Sequence, residues 1–368
     1  MKVKVVSRLA RAPLVGSLVQ RCFSTPSCAG VCIRPSSFQA TAIPPALLQL
    51  NAAIEAKGLP PSDSMTPTER REERSVEFTH EPRREDVTIR CERSGRDVGL
   101  AIFRPAHVSI PKAAYFHIHG GSFMIGSAFG QNDPRLQAMA DELGIAVVSV
   151  DYGLSPEAQF PVPVNDCVAA ALWLVREGPR HLGTKVFVAG GESAGGHLMV
   201  CTLLQLRELA GQCGNPELAP ATAFRCVNLV YGWFDLGGTP SLLSFKRPLV
   251  MDGEDLLWAA RHFCPDDAVR TKRAGPEAGG ASPLFSNLDG MPPALFTVGT
   301  EDALRDDTLF MAARWAAHGI EAELEVYPGA AHGIGHFGPH QYSPQASEIN
   351  GHVCSFLRRW IGDGANGK

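Results

Sequence analysis

Val186-Phe187-Val188-Ala189-Gly190-Gly191-Glu192-Ser193-Ala194-Gly195-Gly196 is an apolar, β-like run that closes on Gly-x-Ser-x-Gly and continues into an uncharged helical pattern to about Leu206. A serine at such a strand-to-helix turn takes a strained backbone conformation. Glycines two residues before and after it, Gly191 and Gly195, remove the β-carbons that would strike the neighbouring chain. The pattern predicts a nucleophile elbow at Ser193. A glycine-rich turn that cradles a dinucleotide would need Gly-x-Gly-x-x-Gly here, and that spacing is absent.

A serine hydroxyl is a poor nucleophile until a base takes its proton, and the oxyanion it creates needs preorganised donors. His117-Ile118-His119-Gly120-Gly121-Ser122-Phe123 directly follows a strand expected over 114–118. The glycine pair lets the N–H groups of Gly120 and Gly121 turn toward a site, with the N–H of Ala194 as a third donor. Further strands are expected over 86–91, 99–104, 145–150, 185–189, 226–231, 294–298 and 322–327. Helical patterns lie between them. Asp133 and Pro134 read as the N-cap and first turn of one helix, which Gly144 ends. Val164, Cys167, Val168, Ala171, Leu172 and Val175 form an apolar stripe on the next, and Ser343-Pro344 opens a last helix with Ile349, Val353, Phe356 and Trp360 at helical spacing. Alternating strands and helices imply crossover connections, hence a mostly parallel sheet covered on both faces, with chemistry at the carboxyl ends of its strands. The stretch 236–293 is too long for an ordinary connection and reads as a functional insertion such as a lid.

Over roughly residues 85–362 the chain resembles the hormone-sensitive-lipase branch of the α/β-hydrolases, the family of many microbial carboxylesterases and of arylacetamide deacetylases. His119-Gly120-Gly121-Ser122 is similar to its His-Gly-Gly-Gly, and Gly191-Glu192-Ser193-Ala194-Gly195-Gly196 to its Gly-Asp-Ser-Ala-Gly-Gly. Asp151-Tyr152-Gly153-Leu154-Ser155-Pro156-Glu157, followed by Phe160-Pro161, looks like its Asp-Tyr-Arg-Leu-Ala-Pro-Glu block. Gly153 in place of the arginine and Ser122 in place of the third glycine are departures. The resemblance implies an α/β-hydrolase fold with a helical cap and the chain order Ser, acid, His. After the strand at 294–298, Asp302-Ala303-Leu304-Arg305-Asp306 is similar to the family's Asp-Pro-Leu-x-Asp, which makes Asp302 the orienting acid. Asp306 and Asp307 are expected to serve the N-terminus of the helix that follows. The candidate base is His332, on the small-residue loop Pro328-Gly329-Ala330-Ala331-His332-Gly333 at a strand end.

The resemblance then implies a serine carboxylesterase that cleaves short- to medium-chain esters through an acyl-enzyme and needs no cofactor. The expected layout is a basic leader over 1–35, an N-terminal cap segment over 36–84, and a catalytic domain over 85–368 with a cap insertion at about 236–290. Phe123, Trp233 and Phe234 either line an acyl pocket or are plain core. The same machinery would serve an amide hydrolase or deacetylase. A ligand-binding reading is also open, because the plant gibberellin receptors of this branch carry a similar His-Gly-Gly-Ser but have lost the base; His332 is present here.

The 368 residues, 45% hydrophobic and 20% charged, have the composition of a globular protein. The net charge of −4 hides an asymmetry. Residues 1–54 carry Lys2, Lys4, Arg8, Arg11, Arg21 and Arg34 and no acid, leaving 28 basic against 38 acidic residues, or −10, for the rest. A body that acidic repels phosphate backbones, which argues against nucleic acid as a partner. Lys4, Arg8 and Arg11 fall on one helical face opposite Val5, Val6 and Leu9, and Arg21-Cys22-Phe23-Ser24 resembles a matrix-protease site. The leader thus reads as a mitochondrial transit peptide, with a secretory signal or a plain tail on a cytoplasmic protein as alternatives. The expectation is no membrane span, since no apolar run of the needed length is free of helix breakers. Ten scattered cysteines point to buried thiols. Gly333-Ile334-Gly335-His336-Phe337-Gly338 fits Gly-x-Gly-x-x-Gly but follows no strand that could start a βαβ unit. The pairs His117/His119 and His332/His336 lack a third ligand, so no metal site is expected. The partner expected is a small ester, with a homodimer left open.

Overall fold

The alternating runs form one sheet in the computed structural model, which describes residues 31–58, 64–73, 81–130, 132–336 and 344–362. The strands are β1 Glu85–Cys91, β2 Arg96–Phe103, β3 Ala114–Ile118, β4 Ala146–Asp151, β5 Phe187–Glu192, β6 Val227–Val230, β7 Ala294–Glu301 and β8 Ala322–Ala331. Their order is β1-β2-β4-β3-β5-β6-β7-β8. The β1–β2 and β2–β4 pairs are antiparallel, and from β4 through β8 every pair is parallel. This is the α/β-hydrolase architecture expected from the sequence. Strands buried on both faces read as continuous apolar runs such as Ala146-Val147-Val148, as parallel sheets require.

The main helices are α1 Pro45–Lys57, α2 Pro67–Glu73, α3 Asp133–Leu143, α4 Val162–Leu182, α5 Ala194–Cys213, α6 Gly253–Phe263, α7 Arg305–Ala317 and α8 Pro344–Ile361. The two-residue period of the strands divides the core in two. Leu100, Ile102, Phe116 and Ile118 pack with α4, α5 and α7 on one face. Ala101, Phe103, Tyr115 and Val147 pack with α3 and α8 on the other. The stripe on α4 is buried at Val164, Cys167, Val168 and Ala171 and half-buried at Leu172 and Val175.

Two local expectations are corrected. The N-cap of α3 is Asn132, and Asp133 is the first helical residue. The Asp133 carboxylate instead accepts from the Gly130 N–H at 2.8 Å and from Arg84 at 2.6 Å. Strand β5 runs on through Gly190 and Gly191 to Glu192, because the ladder with β3 and β6 holds the glycines extended. A β-carbon on Gly190 would stand 2.1 Å from the Tyr115 hydroxyl, so the strand can pass there only as glycine.

The N-terminal helices meet the irregular segment after β6. Helix α2 opens with a reciprocal capping box: the Glu69 N–H donates to Thr66 Oγ, and the Thr66 N–H and hydroxyl donate to the Glu69 carboxylate. Its Arg70 pairs with Asp255 of α6 at 2.8 Å and lies over the Trp258 ring. Its Arg71 donates to the carbonyls of Met124 and Ser155, each at 2.9 Å. Asn51 of α1 donates to the Gly329 carbonyl, and Arg247 is bonded to both Glu55 and Glu301. Among the described residues every cysteine is a free thiol, six of them buried, and no helix is long and apolar enough to cross a membrane. The basic leader lies outside the described residues.

Candidate active site

Ser193 sits between β5 and α5 with φ 55° and ψ −120°, in the left-handed half of backbone space that a serine rarely occupies. The turn is held on both sides. Its N–H donates to the Val230 carbonyl at 2.9 Å, and its carbonyl accepts from Gly196, His197 and Trp233. A β-carbon on Gly195 would stand 2.0 Å from the Ile118 carbonyl oxygen, and one on Gly191 2.6 Å from the Gly195 carbonyl oxygen. Both are backbone contacts that cannot yield.

The three residues expected to share the chemistry meet at the carboxyl ends of β5, β7 and β8. Ser193 Oγ is 2.9 Å from His332 Nε2, and His332 Nδ1 is 3.0 Å from each carboxylate oxygen of Asp302. Because a carboxylate only accepts, Nδ1 carries the ring proton and Nε2 presents its lone pair to the serine hydroxyl. The Leu304 N–H donates to Asp302 at 2.8 Å and fixes the carboxylate in the turn before α7. The site is closed, with Ser193 1% and His332 3% exposed.

Gly120 lies against the elbow: a β-carbon on it would stand 3.2 Å from Ser193 Cβ. Gly121 has φ 123°, and its carbonyl accepts from Met124 and Ile125 to form a tight turn. Among the described residues, the N–H groups of Gly120, Gly121 and Ala194 have no acceptor. They are the donors that an anion beside Ser193 would find. Ser122 and Phe123 also have positive φ, 53° and 64°, and the Ser122 hydroxyl meets the Met251 sulfur at 3.2 Å. Phe123, Trp233 and Phe234 are fully buried in the main core, Phe123 stacked on Phe263 of α6 at 3.8 Å and 5.4 Å from the Trp233 ring.

The histidine pairs separate into individual roles. His117 contacts Ser149 at 2.8 Å and Glu192 at 2.9 Å, whereas His119 bonds the Gly120 carbonyl and stacks on Tyr152. Burial pushes the His119 imidazole below its ordinary value. His336 contacts the Ile334 carbonyl at 3.1 Å. Among the described residues no group of three His, Cys, Asp or Glu side chains is arranged to hold a metal.

Asp306 and Asp307 do not simply face the N-terminus of α7, as expected. Asp306 accepts from the Ser241 N–H, and Asp307 from the Phe234 and Asp235 N–H groups and the Thr239 hydroxyl. They satisfy the backbone of the irregular segment after β6, whose N–H groups no strand or helix pairs. Burial pushes the Asp307 carboxyl up to about 7, over the opposing pull of those hydrogen bonds. Sequence reasoning also missed the cluster around Glu192. The one readable signal was a charged residue at a buried strand end, which demands a countercharge without naming it.

Comparison with known proteins bears on the fold and the family. Residues 115–336 match a family model described as alpha/beta hydrolase fold. An esterase of Acinetobacter venetianus is 27% identical over 266 residues, covering 71% of this chain and 80% of that protein. An acetyl-hydrolase of Streptomyces hygroscopicus is 31% identical over 253 residues, covering 67% of this chain and 76% of that protein. Among solved structures, a hyperthermophilic esterase from Pyrobaculum calidifontis superposes with a TM-score of 0.72 at 25% identity, over 87% of this chain and 99% of that one.

Proposed function

Because the chain belongs to the hormone-sensitive-lipase-like α/β-hydrolases, we propose that it is a serine carboxylesterase working through an acyl-enzyme on esters with short to medium acyl chains. The observation that carries the reading is the serine on a strained elbow, 2.9 Å from an imidazole whose other nitrogen is held by a buried carboxylate. Ser193 attacks the ester carbonyl as His332 Nε2 takes its proton. Asp302 holds the ring and stabilises the imidazolium. The N–H groups of Gly120, Gly121 and Ala194 receive the oxyanion, each worth about 3 kcal/mol by analogy with measured donors. Collapse breaks the ester C–O bond, and His332 returns the proton to the departing alcohol. Water then repeats the sequence on the acyl-enzyme.

Helices α1, α2 and α6 with the segment 236–290 serve as the cap. On this reading Met251, whose sulfur is 3.2 Å from the Ser122 hydroxyl, belongs to the cap, and its closeness to the Gly120-Gly121 loop supports a preference for smaller acyl groups. The basic, acid-free leader supports a mitochondrial address, checked by sequencing the N-terminus of the protein taken from its own cells.

The test is a fluorophosphonate probe together with p-nitrophenyl esters of increasing chain length. The wild-type protein labels and hydrolyses the shorter esters. Ser193→Ala and His332→Ala each lower kcat by at least about 10⁴-fold. A wild-type protein that neither labels nor turns over any ester defeats the reading.

A further inference from the structure

Glu192 adjoins the nucleophile, yet its side chain takes no part in the steps above. It is 3% exposed. Its carboxylate is met by His117 Nε2 at 2.9 and 3.1 Å and by an N–H of the Arg135 guanidinium. His336 Nε2 lies 3.5 Å away. His117 is itself fixed, with Nδ1 2.8 Å from Ser149 Oγ, and Arg135 also reaches the His117 ring at 3.3 Å. Burial alone pushes the Glu192 carboxyl up. The charges of His117 and Arg135 and the His117 hydrogen bond outweigh it and hold the group well below the ordinary carboxylate range.

These partners come from separate parts of the fold: β3, helix α3 and the loop after β8. Two of them stand close in the chain to working groups. His117 shortly precedes Gly120 and Gly121, and His336 shortly follows His332. The Tyr231 ring packs against both rings of that loop, 4.7 Å from His332 and 5.6 Å from His336. A buried ion cluster adds little net stability over an apolar filling of the same volume. It does impose directional, stiff geometry when its groups are paired. The pieces it connects are those whose relative placement sets the attack distance and the donor geometry.

We propose that Glu192 is a positioning residue whose carboxylate ties the nucleophile elbow to the strand that delivers the oxyanion donors and to helix α3, with the base loop packed at its edge. The proposal rests on the serine-esterase reading. Neutralising the carboxylate loosens the elbow against its donors, which slows formation of the acyl-enzyme and leaves ester binding in place.

The experiment compares wild type with Glu192→Gln, Glu192→Asp and Arg135→Gln. Active sites are counted by burst titration, so that misfolded protein does not enter kcat. Three readouts follow: kcat per titrated site and KM on p-nitrophenyl acetate, the second-order rate of fluorophosphonate labelling, and Tm. For Glu192→Gln, kcat per site and labelling rate fall together by about 10- to 100-fold, in the range a small misplacement costs, with KM within twofold. Glu192→Asp, which keeps the charge, recovers part of the loss. An unchanged kcat per site and labelling rate in Glu192→Gln, with only Tm lowered, makes the cluster merely structural and overturns the proposal. Where Glu192→Gln yields no folded protein, Arg135→Gln decides: a loss of kcat per site at constant KM supports the proposal, and an unchanged rate overturns it. Wild-type protein that neither labels nor hydrolyses defeats the esterase reading itself, and the proposal with it.

Discussion

Asp302 shows how narrowly one atom sets the proposed chemistry. Its two oxygens are equidistant from His332 Nδ1, and one of them is also pinned by the Leu304 N–H. Asp302→Asn keeps the volume but puts an amide N–H₂ where an acceptor stood, which favours the tautomer with the proton on Nε2, facing Ser193 Oγ. The expected outcome is a fall in kcat on p-nitrophenyl acetate of about 10⁴-fold with Tm shifted little. A loss under tenfold places the orienting acid elsewhere. Ser193 and its glycines were legible in the sequence because they stand together in one contiguous Gly-x-Ser-x-Gly: a β-carbon on Gly191 meets the Gly195 carbonyl inside the elbow itself, while the carbonyls that exclude one on Gly195 belong to Ile118 and His119 at the end of β3. Glu192 was not, since its partners His117 and Arg135 lie 75 and 57 residues away in the chain. No periodicity or spacing encodes such distant pairs. Asp302 and His332 fall between these cases, reached through a chain order that only a family resemblance supplies.

At the scale of elements, the sequence reading located the eight strands found among the described residues and misplaced some ends. Gly190 and Gly191 look like a turn, yet β5 continues through them because β3 and β6 pair with the backbone regardless of side chain. Pro328 to Ala331 look like a loop, yet β8 passes through them as a bulge, with the Gly329 N–H on the Thr300 hydroxyl and pairing resumed between Ala331 and Glu301. Helix α2 is the opposite case. Its Thr66/Glu69 capping box is written locally, but its attachments are not: Arg70 reaches Asp255, 185 residues away, and Arg71 the oxyanion-loop carbonyl of Met124. The Arg70–Asp255 pair is almost wholly buried, with side chains 8% and 3% exposed. Removing one partner leaves a buried charge uncompensated. Arg70→Met is expected to lower stability to urea by roughly 3 to 5 kcal/mol, while Arg70→Met combined with Asp255→Leu regains most of the loss. A single variant within about 0.5 kcal/mol of wild type shows the pair to be open to water.

At the scale of the whole molecule, the two-sided core forces polar groups into places where water cannot reach, and this sets how stability responds to pH. Burial pushes the imidazoles of His197 and His336 down to about 3 and lowers His119 as well. In the unfolded chain each titrates near about 6.5. Between those values the unfolded chain binds protons that the folded chain refuses, so the contribution of these groups is present above about 6.5 and is lost as pH falls toward 3. Asp307 runs the other way. With its folded value pushed up to about 7, it keeps a proton that the unfolded chain gives up near about 3.9. Its contribution is therefore present in acid and is lost as pH rises through 7. The two imidazoles at about 3 outnumber the one carboxyl, and His119 acts in the same direction as they do, so between about pH 4 and 6 these groups make stability rise with pH, by about 1.4 kcal/mol per pH unit for each net proton. Urea unfolding at intervals from pH 4.5 to 7.5 is expected to give its lowest free energy at the acid end. His197→Gln, which removes one titrating ring, is expected to flatten the slope by about one proton. A protein equally stable across that range, or most stable at pH 4.5, would show that these rings are protonated in the folded state and that the core around Ser193 admits water.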